Sequence, residues 1–360
     1  MPCPELKVHK DIMKGTDSTK YLGNSLSTAS GQHDNIVDQR SRGWGKVSTI
    51  MGILSEVDMG LHKLEVGLML RQAILISSML YSAEAWSGIT DKQMARLEVV
   101  DSSLLRRLTG GHVKCATEFL HFETGTWKLR HHLTYLRLMY HHHILTRDDN
   151  ETIKKIYVKQ RDDHIKGDWF QLLTKDFQFI EEDMNEKEIC EMSKALYKKK
   201  IKDLINKSVF KFYMNLKQTH SKLDAVNYSK LEIQGYLIST KLKTSEKELL
   251  FNMRSKCHDS KNNFKKLFKN NIQCSLGCPQ TEDQLHSFTT CKQIPKEYTN
   301  GIYEDIFGTF CEQKKVIQIF AKIEFLRKHT KKNHILPGGS DCQDSCTFNL
   351  LNSAASASLQ

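Results

Sequence analysis

Three cysteines and one histidine in a short stretch have the types and spacing to act together. Cys274, Cys278, His286 and Cys291 follow the order C-x3-C-x7-H-x4-C. Two soft thiolates on a tight turn, then an imidazole and a third thiolate one short helix later, can close a tetrahedron around Zn²⁺. Four protein ligands leave no position for a reactive water, so the donor set points to a structural clip rather than a catalytic metal. Gly277 gives the turn its freedom and Pro279 stiffens its exit. Thr281 with Gln284 fits a capping box. The helix it starts would have Glu282 and Asp283 at its positive end and Leu285 and Phe288 on its apolar face. The same residues also allow a plainer arrangement, scattered cysteines and a surface histidine, and the first pair is spaced more widely than the commonest C-x2-C.

A second feature is an uneven charge. The chain carries 53 Lys and Arg against 42 Asp and Glu, a formal net charge of +11. Residues Leu196 to Asn270 hold 18 basic against 6 acidic side chains, and the rest of the chain holds 35 against 36. One block therefore accounts for the whole excess. It also contains Tyr197, Phe210, Phe212, Tyr213, Tyr228, Tyr236, Phe251, Phe264 and Phe268. Basic side chains interleaved with aromatics suit a phosphate backbone with stackable bases. The alternative is that aromatics at helical spacing are core and the lysines a solvated face.

Elements must position these groups. A length of 360 residues allows two or three domains, and 39% hydrophobic with 26% charged residues is a globular composition. Five prolines and an abundance of Lys, Leu, Glu and Met predict mostly helix. The strongest apolar run, Leu64 to Tyr81, is interrupted by Arg71, Gln72, Ser77 and Ser78, so no membrane span is expected. The first residues lack the apolar core of a secretory signal, so the ten cysteines are expected to be reduced thiols or metal ligands in an intracellular chain. Cys342 and Cys346 lie in a Gly/Ser-rich tail with no partner histidine and are expected to be unstructured.

Short strands and turns are expected up to about residue 30, with helix beginning around Asn35 to Leu54. Leu64 to Ser82 reads as one helix with Leu64, Leu68, Leu75 and Met79 on a stripe. Thr90 with Gln93 caps the next helix, which runs through Met94, Leu97, Val100, Leu104 and Leu108 and stops at Gly110-Gly111. Leu129 to Leu145 repeats Leu129, Leu133, Leu136 and Tyr140. It also holds His131, His132, His141, His142 and His143. Without acids or thiols at suitable spacing, these histidines read as a partly exposed helix face rather than a metal site. Ser245 with Glu248 fits another capping box. The tail from Pro337 is small and polar and reads as disordered.

Taken in order, these pieces resemble a known family. Lys20-Tyr21-Leu22-Gly23, then Asn35-Ile36, Arg40 and Gly43-Trp44-Gly45, look like the segment after the palm of non-LTR retrotransposon reverse transcriptases. Leu80-Tyr81 through Glu84 and Trp86, then Leu97-Glu98, Asp101 and Leu104-Leu105-Arg106-Arg107, resemble that family's thumb helices. Met139 to Leu145, Gly167-Asp168-Trp169, Tyr236-Leu237, Leu249-Leu250-Phe251, Arg254 and Asn263-Phe264 resemble its downstream region. Glu282-Asp283, His286 and Cys291 are similar to its closing CCHC finger. The resemblance spans roughly residues 17 to 335.

It implies a mainly α chain: a helical thumb and connection bundle, a short N-terminal β remnant and a small C-terminal zinc clip. The implied divisions are a palm-derived strand segment at 1–30, a thumb-like domain at 31–112 and a basic connection at 113–270. The clip and a C-terminal helix occupy 271–336, and a disordered tail 337–360. The partner implied is RNA or an RNA–DNA hybrid. Its expected contacts are Arg40, Arg42, Lys46, Lys198, Lys199, Lys200, Lys211, Lys265 and Lys266. The palm carboxylates that such polymerases need belong upstream of Lys20. Asp148-Asp149 and Asp162-Asp163 do not sit in apolar hairpins. No polymerase activity is therefore expected from this chain alone. It could complement a separate finger–palm subunit, or be a non-functional relic of an element. Lys198-Lys199-Lys200 and Arg327-Lys328 with Lys331-Lys332 are compatible with a nuclear location.

Overall fold

The computed structural model describes residues 6–8, 11–13, 18–21, 24–27, 33–56, 62–163, 166–219, 223, 228–258, 273–284, 286–296 and 305–333. Lys265, Lys266, Phe264, Phe268, Leu285 and the tail with Cys342 and Cys346 lie outside these residues, as does the Phe288 side chain. The described chain is mainly helical. It begins with two antiparallel hairpins, β1 (Leu6–Val8) with β2 (Asp11–Met13) and β3 (Ser18–Tyr21) with β4 (Asn24–Ser27). The chain forms two compact units: Met1–Leu108 with Ala116–Ile238, and Thr109–Cys115 with Ser239–Gln360. This partition groups most of the sequence-based divisions 31–112 and 113–270 in the first unit.

In the first unit, α1 (His33–Glu56) buries Ile36, Val47, Ile50 and Leu54, a helical stripe. The expected helix over Leu64–Ser82 is present in broken form. α2 (Lys63–Leu70) passes into a widened π-type stretch, Arg71–Ile76, and ends as α3 (Ser77–Met79). The widened turn begins at Arg71, which is buried and must face a carboxylate. Such insertions re-aim side chains without ending a helix.

α4 (Asp91–Thr109) has the expected cap. The Thr90 N–H donates to Gln93 Oε1 at 2.9 Å and the Gln93 N–H to Thr90 Oγ1 at 3.3 Å. It ends at Gly110, whose φ of +63° is the left-handed C-terminal position that glycine fills without strain. Arg71 meets Asp101 on α4 with both partners buried, Nε to Oδ1 at 2.6 Å and Nη2 to Oδ2 at 2.7 Å. Arg71 Nη2 also donates to the Trp127 carbonyl at 2.8 Å.

α5 (Thr117–Glu123) leads to α6 (Leu129–Leu145), where the histidine expectation is overturned. His131, His141 and His142 are buried, and only His143 is exposed. The reason is non-local. α7 (Thr152–Asp163), α8 (Trp169–Phe179), α9 (Glu186–Glu191) and α10 (Lys194–Lys217) all pack on α6. His142 stacks on Tyr197 with centroids 4.9 Å apart, and His141 Nε2 lies 3.0 Å from the Tyr157 hydroxyl. Burial, reinforced by Lys128 and Arg130, depresses His131 to a pKa of about 3; burial, then Lys154 and His142, does the same for His141. Neutral imidazole is thus the form the core holds.

α10 buries Tyr197, Ile201, Ile205, Val209 and Tyr213, one residue every fourth position. α11 (Gly235–Ile238) closes the unit.

The second unit is built on α12 (Thr244–Arg254) and α13 (Phe310–Asn333). The capping residues of α12 differ from expectation. The Lys243 N–H donates to Glu246 Oε2 at 2.7 Å, two positions before the Ser245/Glu248 pair, and Glu248 instead packs against Gly110. Asn252 braces the 109–115 segment, accepting from the His112 N–H and donating to the Gly110 carbonyl, each at 2.9 Å. No helix among the described residues is long and apolar enough to cross a membrane.

Candidate metal centre and basic face

Cys274 and Cys278 sit on a knuckle whose geometry follows from its residues. A bridge between Gln273 and Thr281 closes it, with the Cys274 N–H on the Gln280 carbonyl at 3.0 Å. The chain reverses at Gly277, with φ of +89° and its N–H on the Cys274 carbonyl at 3.1 Å. A side chain at that φ would be strained, so glycine is required there. The Leu276 N–H points at Cys274 Sγ, 3.4 Å away.

The cap of the following turn differs from the expected one. It is Asp283, which accepts from the His286 N–H at 2.7 Å, rather than Thr281. Gln284 does not close a box. Its amide donates to the Met253 carbonyl at 2.8 Å and so ties the clip to the end of α12. Glu282 is buried and accepts from the Ser275 N–H at 2.6 Å, fastening the knuckle to the turn. A short π-type turn, His286–Thr290, then brings Cys291 back, its N–H on the His286 carbonyl at 2.9 Å.

The result joins all four sequence-predicted ligands. Cys274, Cys278, His286 and Cys291 are buried, and one ligand atom from each lies within 4.8 Å of the others. Cys291 Sγ is 3.7 Å from Cys278 Sγ and 3.9 Å from Cys274 Sγ. A tetrahedral ion with metal–sulfur bonds near 2.3 Å spaces its sulfurs about 3.8 Å apart. His286 Nδ1 lies 3.1 Å from Thr290 Oγ1, so the hydroxyl braces the ring beside the three sulfurs. The donor set therefore fits a metal ion.

Burial pushes the Cys291 thiol up to about 12, and the neighbouring sulfurs push the same way. For Cys278 burial also acts upward, but hydrogen bonds from the Cys291 thiol and the Lys292 and Gln293 backbone outweigh it and the net shift is down. Three thiolates this close repel one another, and a dication reverses that repulsion.

The clip is packed into the second unit's core. Cys274, Cys278 and Cys291 share a buried cluster with Met253, Ile294, Ile306, Val316, Phe320 and Ile323. Arg254, beside Met253, donates to the Ile306 carbonyl at 3.0 Å and lies 4.4 Å from the Phe307 ring centre. Adjacent residues of α12 thus hold the two sides of the clip.

The expected basic contacts that lie among the described residues are distributed over the first unit. Arg40 and Lys46 are exposed on α1, and Arg42 is half-buried there. On α10, Lys198 and Lys199 are exposed. Lys200 pairs with Glu182 at 3.0 Å and Lys211 with Glu181 at 2.5 Å. Exposed pairs of this kind hold by about 1 kcal/mol or less, so a phosphate can replace the carboxylate. Of the aromatics in the basic block, Tyr197, Tyr213, Tyr236 and Phe251 are core, while Phe212 remains exposed. Asp148 and Asp149 are exposed in the turn between α6 and α7, and Asp162 and Asp163 are exposed at the end of α7. Sequence reasoning did not identify Glu282 and Thr290 as supports of the metal site. Their roles depend on backbone reversals that spacing alone does not specify.

Comparison of the chain with protein-family models, with curated proteins and with solved structures finds no match.

Proposed function

We propose that the chain is the grip of a retroelement reverse transcriptase: a thumb and connection that holds RNA or an RNA–DNA hybrid, closed by a structural Zn²⁺ site. The observation that carries this reading is the buried Cys274/Cys278/His286/Cys291 set, tied to the end of α12 and immediately downstream in sequence of the block that carries the chain's positive charge. Three thiolates and an imidazole in tetrahedral reach are the ligand type of structural zinc. Zinc there contributes folding energy to the second unit and no reacting group. The cations do the binding. Arg40, Arg42 and Lys46 on α1 and Lys198 and Lys199 on α10 contact phosphate, with little dependence on base sequence.

Among the described residues, the one cluster of three or more potential metal-holding groups is the Cys/His set, not the carboxylates that DNA synthesis needs. The chain's partner for synthesis is a finger–palm subunit that supplies the metal-binding carboxylates. The relic reading predicts a chain that neither folds around metal nor binds a polynucleotide.

The test is charge reversal. Arg40→Glu with Lys46→Glu, and separately Lys199→Glu, are titrated against a labelled RNA–DNA hybrid alongside the unaltered chain. The double variant is expected to bind at least about tenfold more weakly, since removing a cation from a phosphate also forfeits counterion release. Unchanged affinity in both variants would overturn the assignment.

A further inference from the structure

The first unit contains a cleft of about 890 Å³, within the ~300–1,000 Å³ range of small-ligand sites. It lies between the π-type stretch that follows α2, the loop before α6, and one face of α10. Its two walls differ in chemistry. One is aromatic: Trp127 has its ring centre 6.0 Å from Tyr135 and 5.2 Å from His132. The other is cationic and polar: Lys198, Lys202 and Asn206 line it at every fourth position of α10. The walls are linked, since Trp127 Nε1 donates to Asn206 Oδ1 at 2.8 Å, and Lys202 Nζ lies 5.9 Å from the Tyr135 ring centre. At the rim, Tyr81 is exposed and Ser82 has a φ of +51°, a left-handed conformation that costs a non-glycine residue energy. The lining contains one acid, Glu84.

We propose that this cleft takes an unpaired nucleobase of a single-stranded polynucleotide. The base lies against Trp127 and Tyr135, and its flanking phosphates lie on Lys198 and Lys202. The inference rests on the nucleic-acid reading above and adds a strand preference to it. Two observations favour this occupant. Stacking rings set opposite an ammonium row are the combination that binds single strands without reading their sequence. A duplex keeps its base faces against each other, so it cannot use the aromatic wall. Lys198 serves both modes of binding, while Tyr135 and Lys202 belong to the cleft alone.

The experiment uses the full metal-loaded chain with a short oligouridylate and, in parallel, an RNA–DNA hybrid. The oligouridylate is expected to quench tryptophan fluorescence, and Trp127→Phe to remove most of that quench. Tyr135→Ala is expected to weaken oligouridylate binding about tenfold, the range of a single base stack. It should change hybrid affinity less than about twofold. Lys202→Gln, an exposed change that leaves the packing intact, is the second variant if Tyr135→Ala does not fold, with a loss of about threefold expected for the single strand. If the hybrid binds but oligouridylate does not, or if both variants bind it normally, the cleft assignment is wrong and the phosphate grip stands. Uridine monophosphate or an acidic peptide quenching as strongly as the oligomer would also overturn it, in favour of a small-anion site. Failure of both polynucleotides to bind removes the grip and the cleft together.

Discussion

Cys278 Sγ lies 3.7 Å from Cys291 Sγ, although thirteen positions separate the two residues. The distance is too long for a disulfide, whose sulfurs bond near 2.05 Å, and matches the edge of a metal-centred tetrahedron. The full chain, made with zinc available, is therefore expected to carry one equivalent of Zn²⁺ by elemental analysis. Cys291→Ser should lose the metal and leave the α12–α13 unit open to limited proteolysis, since structural zinc and folding are one equilibrium. A Cys291→Ser chain that keeps its zinc and its protease resistance would count against the clip.

Gly277 tests the knuckle without touching a ligand. Its φ of +89° places an added methyl in a strained conformation, although open space surrounds it. Gly277→Ala should cost about 1–2 kcal/mol through backbone strain alone. Competition with a chromogenic chelator should show zinc held roughly tenfold less tightly, a factor equivalent to about 1.4 kcal/mol. Unchanged zinc affinity would mean that the turn does not preorganise the site.

Arg71 and Asp101 make the corresponding prediction for the first unit. Both are buried, and the pair is bidentate. Asp101→Ala leaves a buried guanidinium without its counter-charge and should destabilise by about 3–5 kcal/mol. Arg71→Met combined with Asp101→Leu removes both charges and should cost much less. Urea unfolding of the two variants gives the comparison. Equal losses would show that packing, rather than charge compensation, dominates there.

The histidines of α6 predict the pH dependence of stability. His131 and His141 have folded-state pKa values of about 3, and His132 is also held well below 6.5, burial being the largest cause in each. Above pH 6.5 these groups are neutral in both states, so stability is at its full value. As pH falls from 6.5 toward 3, only the unfolded chain takes up the protons. Each histidine then removes about 1.4 kcal/mol per pH unit. Denaturant midpoints should hold steady from pH 8 to 7 and fall steeply below pH 6. His141→Phe should make that fall shallower, and an unchanged slope would contradict the assignment.

These residues also show what the sequence could convey. The Thr90/Gln93 cap and the Gly110 stop were legible because each rests on contacts within a few residues, and the grouping of Cys274, Cys278, His286 and Cys291 because their types and spacing suit one ion. The Asp283 cap was not. Asp283 and Thr281 are both competent acceptors, and the choice turns on Gln284 reaching Met253 across 31 positions. The histidines were misplaced because α6 has an ordinary amphipathic pattern yet is covered on several sides by later helices. The cleft aromatics could not be found by scanning the basic block, since Tyr81, Trp127 and Tyr135 come from other elements. Only the α10 row of Lys198, Lys202 and Asn206 signalled one wall.

The most direct measurement of the central claim is the affinity of the zinc-loaded chain for an RNA–DNA hybrid as a function of salt. Five described cations, Arg40, Arg42, Lys46, Lys198 and Lys199, are assigned to phosphate. Between 50 and 200 mM salt, log K should therefore fall linearly against log salt with a slope of about −3 to −5. A slope near zero, or no binding even at the lowest salt, would contradict a phosphate grip.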